Sequence, residues 1–253
     1  MSVNPPNWPE GVARHILDAV DSTNAHAARL APGLAGSAWV LAAEQTAGKG
    51  RRGRPWSSPR GNFYGSYVML PTESPELVAL RSFAAALALR DACVQLTGLP
   101  QAFALKWPND VLLNGGKLAG ILLETAGQGT RLSHLVIGIG VNLIASPDPA
   151  QVEPGALTPV NLLAETGLRI TPEAFLNALA PAYARWEHTF TTQGFAPLRA
   201  EWLSHAAKLG EVIHARTGTQ TRSGTFESLD ETGALLLTTQ AGRIAIPAAE
   251  VFF

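Results

Sequence analysis

Five of the nineteen lysines and arginines of this chain stand in one short window: Lys49, Arg51, Arg52, Arg54 and Arg60, the first four interleaved with Gly48, Gly50 and Gly53. No Asp or Glu falls between Gln45 and Thr72. Glycines let the backbone close on a ligand and expose its amides, while guanidinium forks match phosphate oxygens, so the loop suits a polyphosphate or an acyl phosphate. A solvated basic loop is the plain alternative. The run Gly48 to Gly53 also satisfies the G-x-G-x-x-G spacing of a dinucleotide fingerprint, with Glu73 suitably downstream. That reading fails because Pro55, Ser57, Ser58, Pro59 and Gly61 follow and lead into a strand, leaving no helix whose dipole could hold a pyrophosphate. Neither Gly48-Lys49 nor Gly116-Lys117 completes a Walker motif.

The elements that must position this loop are read from periodicity. Asp21, Ser22 and Thr23 precede an alanine-rich stretch and mark a helix start over Asn24 to Leu30. Ser37 to Gln45 and Asn62 to Leu70 read as strands on either side of the loop. Pro75 to Thr97 is expected as one helix, with Ser74 as cap, Leu77, Leu80, Ala84 and Leu87 on one face and Gly98 as terminator. Phe103 to Trp107 and Val111 to Leu113 are strand pieces, Asn114-Gly115 is a tight hairpin turn into Lys117 to Glu124, and Leu132 to Leu143 is a further strand. Pro159 and Pro172 each sit just inside an expected helix, Gly167 ends the first, and residues 158–205 are mainly helical. From Gly210 the period changes to short strands, Glu211 to Arg216, Thr219 to Leu229, Ala234 to Thr239 and Arg243 to Ile246. The expectation is an α+β domain over 1–205, a mixed or antiparallel sheet with flanking helices, followed by a small all-β barrel over 206–253.

Several blocks occur in a fixed order: Asp21-Ser22-Thr23-Asn24, then Gln45 with the basic glycine loop, Lys106-Trp107-Pro108-Asn109-Asp110, Lys117-Leu118-Ala119-Gly120, and Gly138-Ile139-Gly140-Val141-Asn142. As a set they resemble biotin protein ligases, over residues 21 to 143 by motif and nearly the whole chain by element order. The resemblance implies the catalytic fold shared with class II aminoacyl-tRNA synthetases. It also implies a two-step reaction: biotin and ATP, with Mg²⁺, give biotinyl-5'-adenylate and pyrophosphate, and biotin then passes to one lysine of a biotin carboxyl carrier domain such as that of acetyl-CoA carboxylase. A carboxylate is a poor acylating agent, and a mixed anhydride supplies the leaving group if water is kept out. The glycine-rich basic loop would be the lid.

Residue by residue, the resemblance places Ser22, Thr23, Asn24, Gln45, Lys49, Gly50, Arg51, Lys117 and Gly120 around biotin, and neutral amides and hydroxyls suit a ureido head. Ser22 and Thr23 also read as a helix cap, which is compatible with ligand contact. Lys117, Arg51 and Asp110 carry the catalytic expectation: Lys117 neutralises the biotin carboxylate and the adenylate phosphate, while Asp110 either binds Mg²⁺ or accepts the incoming lysine's proton. Arg52, Arg54, Trp56 and Asn142 are expected at the nucleotide, Trp56 by stacking on adenine. Lys49 stands where most relatives carry arginine, and an ammonium lacks the planar fork. Trp107 is expected in the core, Cys93 as a buried hydrophobe, and the six histidines show no ligand spacing.

Composition narrows the alternatives. A net charge of −1 gives no global attraction to nucleic acid or anionic membrane. Only twenty residues precede Asp21, so a winged-helix repressor module is not expected, and neither is a nucleic-acid partner. The proline-bearing Met1 to Glu10 does not read as a secretory signal, the apolar stretch Phe83 to Leu96 is interrupted by Arg90 and Asp91, and a single cysteine fits a reducing, cytoplasmic site. A lipoate or octanoate ligase of the same superfamily is the rival reading, and a degenerate binding protein a third. Pairing of two copies through sheet edges stays open.

Overall fold

The computed structural model describes residues 5–128, 131–153, 155–218 and 220–253. Residues 1–4 and Thr219, which the sequence reading touched, lie outside them. The chain opens with β1 (Ala13–Leu17), a strand the periodicity did not announce, then α1 (Thr23–Leu30), β2 (Ala38–Ala42) and β3 (Phe63–Met69). The expected helix over Pro75 to Thr97 is two, α2 (Pro75–Ala79) and α3 (Arg81–Thr97). The reason is local: the Leu80 amide bonds back to Leu77, a tightened turn that breaks the stripe and leaves Leu77 48% exposed while Leu80, Ala84 and Leu87 are buried. Ser74 precedes α2, but its hydroxyl caps nothing, whereas Gly98 ends α3 in the left-handed region as expected.

Four antiparallel strands follow: β4 (Phe103–Lys106), β5 (Asp110–Leu113), β6 (Gly116–Gln128) and β7 (Arg131–Val141). Asn114 (φ 50°) and Gly115 (φ 83°) form the predicted turn between β5 and β6. Pro159 is not inside a helix. The Lys117 amide donates to Thr158 O and the Val160 amide to Lys117 O, so this segment lies along β6 and proline's missing donor costs nothing there. The helix α4 (Leu162–Thr166) starts only after Asn161, whose side chain accepts from the Ala164 amide at 2.9 Å. α5 (Pro172–Gln193) and α6 (Phe195–Ser204) complete the helical part.

The seven strands form one sheet in the order β1-β2-β3-β7-β6-β5-β4, with β1 parallel to β2 and every other pair antiparallel. Alternation along β2 sends Trp39 and Leu41 to one face, against α3 and α5, and Ala38 and Val40 to the other, against α1. The helical face carries the main core, whose aromatic centre stacks Trp39, Tyr67 and Tyr183 with ring centroids 4.7–6.0 Å apart. Trp107 joins this core, its indole N–H donating to Gly233 O at 3.0 Å.

The expected C-terminal β unit is a five-stranded antiparallel sheet, β8 (Val212–Thr217), β9 (Gln220–Leu229), β10 (Leu235–Thr239), β11 (Gly242–Ile246) and β12 (Glu250–Phe252), in the order β11-β10-β9-β8-β12. The short β12 was not visible in the sequence. Among the described residues no ladder joins β11 to β12. Ile213, Phe226, Leu235 and Val251 belong to the same hydrophobic cluster as the helical face, so the two units share a core. No helix among the described residues is long and apolar enough to cross a membrane.

Candidate active site

The sheet face that carries α1 also carries the chemistry, because cross-strand register puts functional side chains in rows. One row runs Lys106, Asp110, Gly120, Gly140, Tyr64 across β4, β5, β6, β7 and β3. The next runs Leu122, Gly138, Ser66. Two positions in the first row and one in the second are glycines, which hollows the face. A cavity of ≈ 480 Å³ lies there, bounded by the start of α1, the basic loop, the 147–159 loop and β12.

At one end the cavity is charged. Lys117 reaches it through a β-bulge: Asp110 pairs with Gly120 and Val111 with Ala119, but Leu112 pairs with Lys117, so Leu118 is the extra residue. Leu118 and Ala119 both turn to the core, and Lys117 comes round to the face of Asp110. Its ammonium lies 2.8 Å from Asp110 Oδ1, an ion pair without hydrogen-bond alignment, and Lys106 Nζ lies 3.8 Å from Oδ2. Burial holds the Lys106 ammonium below the usual lysine range, and the Asp110 charge partly offsets it. Arg51 hangs over the same spot, donating to Asn109 Oδ1 at 3.2 Å and Ala249 O at 3.4 Å. Burial lowers its pKa and the Asp110 charge opposes the shift. Three cations around one carboxylate leave an excess of positive charge suited to a carboxylate and a phosphate brought together.

The other end is neutral. Ser22 caps α1, Thr23 N donates to Gln45 Oε1 at 2.8 Å, and Asn24 sits over Gly138, where a Cβ would collide with its amide. Trp56 joins the two ends. Its ring lies on the glycines of the first row, so that a Cβ on Gly140 would stand 2.6 Å from the indole and one on Gly120 3.2 Å away. The indole N–H is buried and meets no acceptor, and Lys117 Nζ stands 5.8 Å from the ring centroid.

The basic loop is folded, with a single 3-10 turn over Arg51–Gly53 and no α-helix. Gly50 N donates to Arg54 O at 2.7 Å, Trp56 N to Gly48 O at 2.9 Å, and Arg52 turns the chain at φ 58°. The mouth is latched by two acids. Glu250 pairs with Arg52 at 3.0 Å, Arg54 at 2.6 Å and Arg216 at 2.6 Å, and Glu153 pairs with Arg54 at 2.7 Å and Arg216 at 2.6 Å. Burial pushes the Glu250 carboxyl up, but hydrogen bonds from Arg216 and Arg54 outweigh it and hold the group at about 2.

Comparison with known proteins agrees with this layout. Residues 18–142 match the biotin/lipoate A/B protein ligase family, and residues 208–253 match the biotin protein ligase C terminal domain. A biotin--[acetyl-CoA-carboxylase] ligase of Paracoccus denitrificans is 57% identical over 238 residues, which is 94% of this chain and 99% of that protein. This chain belongs to the biotin protein ligase family. The bifunctional ligase/repressor BirA of Bacillus subtilis is 30% identical over 96% of this chain and 75% of its own length. The fold matches the biotin protein ligase of Aquifex aeolicus in complex with biotin and ATP, with a TM-score of 0.80, 28% identity and coverage of 94% and 97% of the two chains. It also matches that of Leishmania major in complex with biotinyl-5-AMP, with a TM-score of 0.67, 26% identity and coverage of 97% and 100%.

Of the residues that the biotin protein ligase resemblance singled out, Ser22, Thr23, Asn24, Gln45, Lys49, Gly50, Arg51, Arg54, Trp56, Asp110, Lys117, Gly120 and Asn142 all line the one cavity. Arg52 does not; its left-handed turn aims it outward at Glu250. Asn142 is buried with its amide donating to Val160 O at 3.0 Å, so it holds the 147–159 loop as well as facing the cavity. Reading by motif missed Lys106, Asn109, Glu153 and Glu250, which also line it. Lys106 and Asn109 stood inside the Lys106-to-Asp110 block, and Lys106 shares the face of Asp110 because the two are opposed across the β4–β5 hairpin. The two glutamates come from distant segments and carried no local signal.

Proposed function

We infer that this chain activates biotin with ATP to biotinyl-5'-adenylate, releasing pyrophosphate, and transfers biotin to a lysine of a biotin carboxyl carrier domain such as that of acetyl-CoA carboxylase. The observation that carries the reading is the polarity of one cavity. Neutral amides and hydroxyls at the α1 end suit a ureido head, and Lys117, Lys106 and Arg51 at the other end suit a carboxylate attacking a phosphate. Lys117 and Arg51 would neutralise the carboxylate and the α-phosphate as they approach. Asp110 holds Lys117 in place. Mg²⁺ enters as the partner of ATP, lowering the charge of the phosphates. No cluster of three metal-binding side chains occurs among the described residues, and a lone carboxylate, Asp110, fits an ion that takes most of its ligands from phosphates and water.

Trp56, Arg54 and Asn142 form the nucleotide side, and the Arg51–Gly53 turn closes over the intermediate. The catalytic unit is taken as 1–205 and the β unit, which supplies Arg216 and Glu250 to the latch, as 206–253. A cytoplasmic site fits the single buried thiol, and the balanced charge favours no nucleic-acid partner.

The test is ATP–pyrophosphate exchange with Mg²⁺ and biotin, lipoate or octanoate in separate reactions. Exchange with biotin alone is expected. Exchange only with lipoate or octanoate would move the chain to the rival activity, and exchange with none would leave a binding protein.

A further inference from the structure

The β3–β7 ladder stops at the edge of the site, and one side chain carries it further. The two strands pair from Met69 and Leu135 to Phe63 and Val141, and beyond that rung the ladder ends. Asn62, one residue before β3, is 1% exposed. Its Oδ1 accepts from the Ile144 amide at 2.9 Å and the Ala145 amide at 3.1 Å, while Nδ2 donates to Ala145 O at 2.8 Å. A primary amide has the same donor and acceptor as a peptide group, so it gives residues 144–145 the bonds that a further backbone rung would have given. Gly61 adds a second contact. Its backbone is left-handed at φ 97°, and a Cβ there would collide with Ile144 Cδ1, so the bare glycine lets Ile144 seat against the chain.

The place matters because of where each side leads. Residues 61–62 are the root of the basic loop as it returns to β3, and the Tyr64 hydroxyl pins that root further by donating to Pro59 O at 2.7 Å. Residues 144–145 open the 147–159 loop, whose far end lies along Lys117. On the ligase reading the carboxylate of biotin meets Lys117, so the nucleoside falls on the side where Pro147, Val152, Ala156 and Leu157 wall the cavity. Asn62, Ile144 and Ala145 do not line it. At the rim the same two loops meet through Arg54 and Glu153, an exposed ion pair of the kind that contributes little. The buried amide at the root is bonded at both its oxygen and its nitrogen, and it therefore fixes the register of the two loops. We propose that Asn62 is a positioning residue for the nucleotide: from the root of the basic loop it sets where the 147–159 loop begins, and so the wall against which ATP is held. This rests on the ligase reading and adds to it a residue that touches neither substrate.

The test is steady-state ATP–pyrophosphate exchange by the full chain. Asn62→Ala should raise the KM for ATP about tenfold or more, with kcat and the KM for biotin held within about threefold, because a displaced wall costs the substrate it holds. Asn62→Asp keeps both accepted bonds and loses only the donor, so its rise should be smaller. Gly61→Ala leaves the Asn62 amide intact and presses on Ile144 instead, and it should raise the same KM; it carries the test if Asn62→Ala does not fold. An unmoved KM for ATP in these variants, or a KM for biotin that rises as much, would overturn the proposal. Absence of exchange with biotin by the unaltered chain would instead overturn the ligase reading beneath it.

Discussion

Lys117 and Asp110 meet at 2.8 Å only because one extra residue, Leu118, is inserted in β6 opposite β5. Counting by twos from Gly120 would turn Lys117 into the core, and the bulge reverses it. The pair is thus one unit set by the sheet, and its members should not act independently. Lys117→Gln is expected to slow biotin-dependent pyrophosphate exchange by about 10²–10³-fold, the scale of losing a preorganised charge at a developing anion. Asp110→Asn should abolish carrier labelling. The double variant should be little worse than the poorer single variant, and cleanly multiplying losses would show that the two side chains work apart.

Gly140→Ala tests the floor of the cavity. The added methyl would stand 2.6 Å from the Trp56 indole, so either the ring or the strand must shift. The expected result is at least a tenfold loss in kcat/KM for exchange, without gross loss of fold. Trp56→Ala in the same background should recover part of the affinity for biotin, since it removes the collision. No recovery would place the damage in the strand itself.

The latch at the mouth predicts a proteolytic phenotype. Glu250→Gln leaves Arg52, Arg54 and Arg216 without their shared carboxylate, so trypsin should cut at Arg51 and Arg52 several-fold faster than in the unaltered chain. The pH dependence follows from the direction of the shift. Because the folded group titrates near 2 and an ordinary glutamate near 4.5, its contribution is fully present above about pH 4.5 and is lost as pH falls toward 2. Protection of the loop should therefore be flat between about pH 5 and 8. A fall within that range would assign the latch to some other group.

Cys93 offers a probe of core opening. It is fully buried in α3, and burial pushes its thiol up to about 12. Native protein at pH 8 should react with a thiol reagent no faster than it unfolds, and denatured protein should react at once. Rapid labelling of the native chain would contradict the packing of α3 against α5.

Much of the fold was readable because its periods are local. The Asn114-Gly115 turn demanded positive backbone angles, Gly98 could stop a helix and Pro172 could start one, and each did so. Where the reading slipped, a longer-range bond decided. Pro159 looks like a helix start but lies along Lys117 instead. β1 and β12 carried no pattern that the reading caught, and each is held by the ladder that a neighbouring strand offers it, β2 for β1 and β8 for β12.

The same division holds for the site. Residue types in a fixed order were enough to name the family, the basic loop and thirteen of the residues that surround one cavity, since motifs keep those side chains in local blocks. What no local pattern held was the company they keep. The turn of Lys117 out of the core, the bed of Gly120 and Gly140 under Trp56, the clasp of Glu250 on Arg52 and Arg54, and the hydroxyl of Ser66 between Thr23 and Asn24 join residues up to 198 positions apart. Strand register and packing bring such pairs together, and both are properties of the assembled sheet rather than of any window along the chain.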